Sequence, residues 1–172
     1  MPKHVKFNVV DHRVIDNGLV CEDISSFALP TLEHPTTSIE GISGMVMDID
    51  MPNVNRLNAM ELTIEHNNGI NCRNLGTPGR HTIECRAVRQ DYTVADGDLG
   101  HEAVKFRFIA VHKSTDKGSF KIGDPYGSSE KYSIIRYEEE VAGEVITIVD
   151  ATAGILRFNG TDYAQSIADL ME

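Results

Sequence analysis

Apolar and polar residues alternate along much of this chain, with the two-residue period of a β-strand that has one buried face. In the clearest example, Val104, Phe106 and Phe108 fall on one face and Lys105 and Arg107 on the other. This spacing predicts a strand whose apolar side chains enter the core. The same alternation predicts further strands at 5–9, 61–65 and 81–88.

The last third of the chain adds a predicted hairpin, in which strands at 131–141 and 144–150 are joined by Ala142-Gly143. Glycine at this position permits the positive φ of a tight turn. Asn, Asp, Gly and Pro separate the strands throughout, and many short strands with frequent turns are typical of an antiparallel sandwich or barrel. We therefore predict an all-β fold, mainly β with a short C-terminal helix, in which two packed antiparallel sheets form a β-sandwich or barrel.

A helical period occurs near the end of the chain. Tyr163, Ile167 and Leu170 share one stripe, and Thr161 or Asp162 is placed to cap the first turn. We expect a helix around 161–171 that docks on the sheets. The length of 172 residues suits one domain. We expect a single domain over 1–172, with an extended hairpin or loop around 38–58.

Composition narrows the function without specifying it. The chain has 16 Lys and Arg against 26 Asp and Glu, a formal net charge of -10, which disfavours binding nucleic acid through bulk charge attraction. Its three cysteines are widely spaced and match neither a disulfide framework nor a zinc ribbon. No apolar run is long enough for a signal peptide or a membrane span, so we expect synthesis in the cytoplasm.

Motifs that would indicate catalysis or a bound cofactor are not found in the sequence. The seven histidines lack the spacing of a metal site, and we expect them on solvated strand faces and in loops. The segment 96–100 begins like a calcium loop but lacks the later oxygen ligands. We predict no catalytic residue, no metal, no cofactor and no enzymatic activity.

The segment 45–51 alternates methionine and isoleucine with valine and aspartate, which predicts a strand with one apolar and one acidic face. Methionine adapts to irregular packing surfaces, so this stripe is better suited to the core or to a subunit contact than to a ligand site. The predicted contact residues between subunits are Met45, Met47, Asp48, Asp50, Met51 and Arg56.

Several segments, taken in order, resemble the major tail tube proteins of contractile-tailed phages and R-type pyocins. The most similar segment runs from Tyr137 to Gly143 and continues through an apolar strand that ends at Asp150. The similarity continues at 158–162, where Asn159-Gly160 precedes Asp162. Upstream, Ile122 stands where that family usually has Pro. The remaining similar segments are at 7–11, 29–32 and 41–51, whereas 67–79 lacks the helical pattern that the family tends to carry there.

This resemblance implies hexameric rings that stack into a hollow tube and conduct DNA during ejection. Its implied partners are further copies of the chain, a contractile sheath outside, a tape-measure protein and transiting DNA in the lumen, and baseplate and tail terminator proteins at the ends. The implied location is the virion tail, assembled in the bacterial host cytoplasm.

Two alternatives remain open from the sequence. One is the tube of a type VI secretion system or of an extracellular contractile injection system, which would pass effectors instead of DNA. The other is a monomeric β-sandwich binding module. An aromatic content of 6% with no Trp disfavours that module, because such sites are usually rich in aromatic side chains.

Overall fold

The computed structural model describes residues 3–67 and 74–172. In this part of the chain twelve strands and one helix form: β1 (His4–Asp16), β2 (Leu19–Cys21), β3 (Ile24–Ala28), β4 (Thr36–Ile39), β5 (Ile49–Pro52), β6 (Glu61–His66), β7 (Arg80–Thr93), β8 (Leu99–Asp116), β9 (Ser128–Val141), β10 (Glu144–Asp150), β11 (Ile155–Phe158), β12 (Thr161–Asp162) and α1 (Gln165–Met171).

Ten of these strands belong to one antiparallel sheet, with β12-β11-β10-β9-β8-β7-β1-β2 as its main order. Strand β9 pairs with β8 along one edge. Its other edge is divided, because Ser128–Ser133 pair with β6 and Arg136–Val141 pair with β10. Strand β6 also pairs with β3, and these two strands form a side branch of the sheet. A second, small sheet contains β4 and β5.

The side branch packs across the core from the main sheet. Phe27 of β3 meets Phe106 of β8 edge to face, with ring centroids 6.4 Å apart. Leu62 and Ile64 of β6 are fully buried in the same cluster. The prediction of an all-β fold is confirmed, and the alternating apolar residues of β6, β7 and β8 supply the core. Its members are Val14, Met60, Leu62, Ile64, Leu75, Ile83, Cys85, Val104, Phe106, Phe108, Ala110, Tyr132, Tyr137, Val149 and Leu156.

Two histidines lie in the interior, so the expectation that all histidines are solvated is wrong for His66 and His81. His81 Nδ1 lies 3.0 Å from a carboxylate oxygen of buried Asp16, and its Nε2 donates to the Thr77 carbonyl at 2.7 Å. These contacts let a polar ring sit in the core. Burial lowers the pKa of His66, an effect that Glu130 partly opposes.

The C-terminal helix is shorter than predicted, because Thr161 and Asp162 form β12 instead. Asp162 still serves the helix start, since its Oδ1 accepts the Ala164 amide at 2.9 Å. None of the residues Gln165–Met171 is buried, so the expected docking on the sheets is limited to the start of the helix, where Ala164 packs against the core and Tyr163 contacts Phe158 of β11. The helix is also too short to cross a membrane, and none longer occurs at 3–67 or 74–172.

The stretch where the family's helix was expected is only partly described. Residues 74–79 form turns and bends. Residues 68–73, which include Cys72, lie outside the described residues.

The predicted hairpin between β9 and β10 is confirmed. Ala142 and Gly143 both adopt positive φ, 51° and 85°, as a two-residue primed turn requires. Alanine is poorly suited to this conformation, because its Cβ crowds the backbone in the left-handed region.

We expect Ala142→Asn to raise the free energy of unfolding by roughly 0.5–1 kcal/mol, because asparagine tolerates left-handed φ better than alanine does. Urea unfolding at equilibrium measures the change. Gly143→Ala is the matched control and should lower stability, since it adds a Cβ at φ 85°. A destabilised Ala142→Asn protein would contradict the turn assignment.

Asp150 organises the next turn, between β10 and β11. Its Oδ1 accepts the amides of Thr152 and Ala153, both at 2.9 Å, and Arg136 donates to its other oxygen at 3.1 Å. The hydrogen bond from the Ala153 amide is the largest cause that lowers the pKa of Asp150, with further lowering from Thr152 and Arg136. The folded protein therefore favours the ionised carboxylate.

A group whose folded pKa is lowered contributes stability above its unfolded pKa and loses that contribution as the pH falls through the folded pKa. We expect Asp150→Asn to cost about 1 kcal/mol at neutral pH, because charge-assisted hydrogen bonds are lost. The cost should shrink towards acid pH. Urea unfolding of both proteins across the pH range tests this, and a cost that does not depend on pH would contradict it.

Candidate assembly surfaces

The hairpin of β4 and β5 projects from the body as an arm, which we define as residues 36–52. Its two strands pair with each other and with no other strand in the described chain. Backbone hydrogen bonds fix its base, from Asn53 to the Pro35 carbonyl and from Asn58 to the Glu33 carbonyl. The tip is apolar and exposed, with Val46 completely accessible and Met47 68% accessible. Exposed apolar side chains on a projecting hairpin are typical of a contact surface.

The six predicted contact residues are all exposed, and five lie on the arm, whereas Arg56 follows it. The predicted strand at 45–51 is only partly correct, because β5 begins at Ile49. Met45 through Asp48 belong to the connection, where Gly41 and Gly44 have positive φ and turn the chain back. Asp48 and Asp50 therefore do not share one strand face. Whether these residues contact another subunit stays a prediction.

A groove lies between β1 and β3, which we call the edge groove. Its volume is about 470 Å³, and its floor and walls are largely apolar. Among the described strands, β1 pairs from His4 to Arg13 with β7 alone, so its other edge is unpaired at the groove. Such an edge can accept a further strand or loop. Residues that line the groove include Val9, His12, Phe27, Leu29, Val104 and Phe106.

The loop between β8 and β9, residues 117–127, presents a second apolar tip. Phe120 stacks on Tyr126, with ring centroids 4.1 Å apart, yet remains 79% exposed. Ile122 is also fully exposed. At the base of the loop, a Cβ on Gly118 would collide with the Gly127 carbonyl, so the close approach of the two segments requires glycine. The sequence signal for this tip was large apolar residues in a loop rich in glycine and aspartate.

In contrast, charges on the outer face of β8–β10 are largely compensated within the chain. Arg107 donates to Glu138 at 2.6 Å and to Glu140 at 2.7 Å. The hydrogen bond with Glu140 is the main cause that raises the pKa of Arg107, and Arg107 in turn lowers the pKa of Glu140. This face therefore presents a network of ion pairs in which no single charge dominates.

The described residues contain no arrangement that suggests a metal centre. Within 3–67 and 74–172, no group of three or more His, Cys, Asp or Glu side chains is positioned to hold a metal ion. One carboxylate–histidine pair, Asp16 and His81, is buried, and both ring nitrogens of His81 are engaged. That geometry supports the core and leaves no ring nitrogen for a substrate.

Together these features describe an all-β chain with exposed apolar projections and, among the described strands, an open strand edge. The chain matches the family described as Phage tail tube protein FII over residues 13–170, and it belongs to that family. The resemblance to tail tube proteins is thus confirmed, and the family is one of structural tube proteins.

Solved structures that are similar to this chain include the following two. One is described as the sheath/tube terminator of an extracellular contractile injection system, PVC, in the extended state. It is 13% identical with a TM-score of 0.51, and the match covers 78% of this chain and 96% of that chain. The other is described as the PVC sheath-tube complex in the extended state. It is 14% identical with a TM-score of 0.50, covering 78% and 90%. At these identities the likeness concerns the fold. A comparison with curated proteins finds no match.

We expect the double substitution Val46→Ser with Met47→Ser to change the free energy of unfolding by less than about 0.5 kcal/mol, because exposed side chains contribute little to folding. Ile64→Ala is the control, and burial of Ile64 predicts a loss of roughly 2–5 kcal/mol. Chemical denaturation of dilute protein measures both. A large loss in the double variant would show that the arm tip packs against its own body.

Proposed function

We propose that this protein is the structural subunit of the inner tube of a contractile phage tail. Hexameric rings of it stack into the conduit through which DNA is ejected. The observation that carries the proposal is the match to the tail tube family across residues 13–170. The arm, the edge groove and the open edge of β1 support it, because a subunit that assembles must expose surfaces that its neighbours cover.

The arm is the part that we propose to contact a neighbouring subunit, through Met45, Met47, Asp48, Asp50 and Met51, with Arg56 beside its base. A ring requires head-to-tail contacts, in which one face of each subunit meets a different face of the next. A projecting arm and a separate groove on the same chain fit that requirement. Further partners in this proposal are the sheath, the tape-measure protein, the baseplate and the tail terminator.

The charge of the chain suits a conduit for DNA. A formal net charge of -10 repels the phosphate backbone, so DNA would slide without adhering to the wall. The ion-pair network on the outer face of β8–β10 adds no uncompensated cationic patch there. In this proposal the tube lies in the virion tail and is assembled in the bacterial host cytoplasm.

The second candidate is a tube of an extracellular contractile injection system, which would deliver effectors. Both similar solved structures come from such a system, and the similarity to them is one of fold. This is the observation that supports the second candidate. Gene neighbourhood separates the candidates, because capsid and DNA-packaging genes beside the tube gene indicate a phage. A cluster with injection-apparatus genes and no capsid genes would indicate the second candidate.

Negative-stain electron microscopy of the purified protein over a range of concentrations, combined with mass measurement in solution, tests the assembly role. We expect hexameric rings or hollow tubes of uniform width. The Val46→Ser, Met47→Ser variant should assemble at least about tenfold less readily while keeping its fold, because exposed apolar contacts drive association. A protein that stays monomeric at every concentration, even beside purified baseplates, would favour the binding-module alternative.

A further inference from the structure

Two hairpin turns of the described chain are built from the same dipeptide in nearly the same conformation. Asn17-Gly18 joins β1 to β2, and Asn159-Gly160 joins β11 to β12. The φ values are 49° and 84° in the first turn and 47° and 82° in the second. Both asparagines are exposed. A difference in their reactivity in the folded protein therefore depends on what each side chain contacts.

The asparagine side chain is tethered in the first turn and untethered in the second. Oδ1 of Asn17 accepts a hydrogen bond from the Thr82 amide of β7 at 3.0 Å, and the Asn17 amide donates to the Thr82 carbonyl at 2.9 Å. The Asn159 amide likewise donates to the Ile146 carbonyl of β10 at 2.8 Å. The Asn159 side chain, however, forms no hydrogen bond within the described part of the chain.

The neighbouring strands account for this difference. In a regular strand the N–H and C=O groups of one residue point to the same side, so Thr82 offers both groups to Asn17. Ile146 instead lies at a register shift in the ladder between β9 and β10. A bulge interrupts the regular alternation of backbone groups, and Ile146 presents only its carbonyl to Asn159.

We propose that Asn159 is a site of spontaneous deamidation and that its tether protects Asn17 from the same reaction. The backbone nitrogen of Gly160 attacks Cγ of Asn159 and forms a C–N bond. The side-chain nitrogen leaves as ammonia, which takes up the amide proton. Water then opens the cyclic imide at either carbonyl and gives aspartate or isoaspartate. Glycine favours the attack because it has no side chain to hinder the approach.

The tether acts on the step before the attack. The asparagine side chain must rotate to bring Cγ towards the nitrogen of the following glycine. In Asn17 this rotation breaks the hydrogen bond from Thr82, whereas Asn159 rotates without losing a bond. One hydrogen bond of ordinary net strength shifts an equilibrium about fivefold. The backbone contribution is similar in the two turns, because their φ values nearly coincide.

The reaction has a consequence for the C-terminal end of the fold. Isoaspartate lengthens the backbone of a turn that has only two residues, and either product adds negative charge. Strand β12 is held to β11 at two paired positions. Asp162 of β12 also accepts the amides of Leu156 at 3.3 Å and Ala164 at 2.9 Å. Isoaspartate at 159 therefore loosens β12 and the start of α1 together.

Peptide mapping by mass spectrometry after incubation of the full-length protein at mildly basic pH tests the proposal. In the folded protein we expect product at 159 to form at least about fivefold faster than at 17, because only Asn17 is tethered. In protein unfolded by urea, the two rates should agree within about twofold. The mapping separates both sites from Asn68-Gly69, which lies outside the described residues.

The folded and unfolded rates together decide the matter. Equal rates at 17 and 159 in the folded protein would overturn the proposal, and so would a faster reaction at 17. A ratio that is the same in folded and unfolded protein would also overturn it, because the flanking sequence and not the tether would then set the difference. Dilute subunits suffice for these measurements, so neither result bears on the proposed tube function.

Two variants at 159 separate the effects of charge and backbone length. Asn159→Gly keeps a residue that accepts positive φ and removes the reactive side chain, so residues 161–172 should keep their resistance to proteolysis during incubation. Asn159→Asp carries the charge of the product without the longer backbone and should also keep that resistance. Wild-type protein enriched in isoaspartate should lose it. An equal loss in Asn159→Asp would contradict the role of the lengthened turn.

Discussion

Strand β9 hydrogen-bonds to β8 along one edge and to two different strands along the other, and this divided edge shapes the molecule. Residues 128–133 of β9 pair with β6, and residues 136–141 pair with β10. The first half of β9 therefore belongs to the layer that carries β3, and the second half belongs to the C-terminal strands β10, β11 and β12. The two layers can then bury a common core between them. Loss of this register would separate Leu62 and Ile64 from Phe106 and Phe108.

The same arrangement leaves the periphery incomplete. Within residues 3–67 and 74–172, strand β3 has a partner strand on one side only, and so does the first part of β1. A barrel would close such edges against each other, but here a groove separates them. Natural monomers usually cover or charge their strand edges to prevent aggregation. In an assembling subunit an open edge is instead part of the mechanism.

Much of the sheet could be predicted from the sequence, because period-two alternation is a local signal. It placed β6, β7, β8 and the β9–β10 hairpin correctly. It failed at 45–48, since alternation in an exposed loop looks the same as alternation in a strand. It also failed for His81, whose burial depends on Asp16, 65 residues away in the chain. The pairing of Arg13 with Arg86 across β1 and β7 could not be anticipated either, because cross-strand neighbours follow from register, which alternation does not specify.

The exposed methionines of the arm have a chemical consequence. Met47 and Met51 present their thioethers to solvent before any partner covers them. Oxidation to the sulfoxide turns an apolar, flexible side chain into a polar one. Because neither residue contributes to the core, an oxidant would leave the fold intact while altering the surface offered to neighbours. If neighbours cover the arm as proposed, newly made subunits would be more sensitive to oxidative damage than assembled ones.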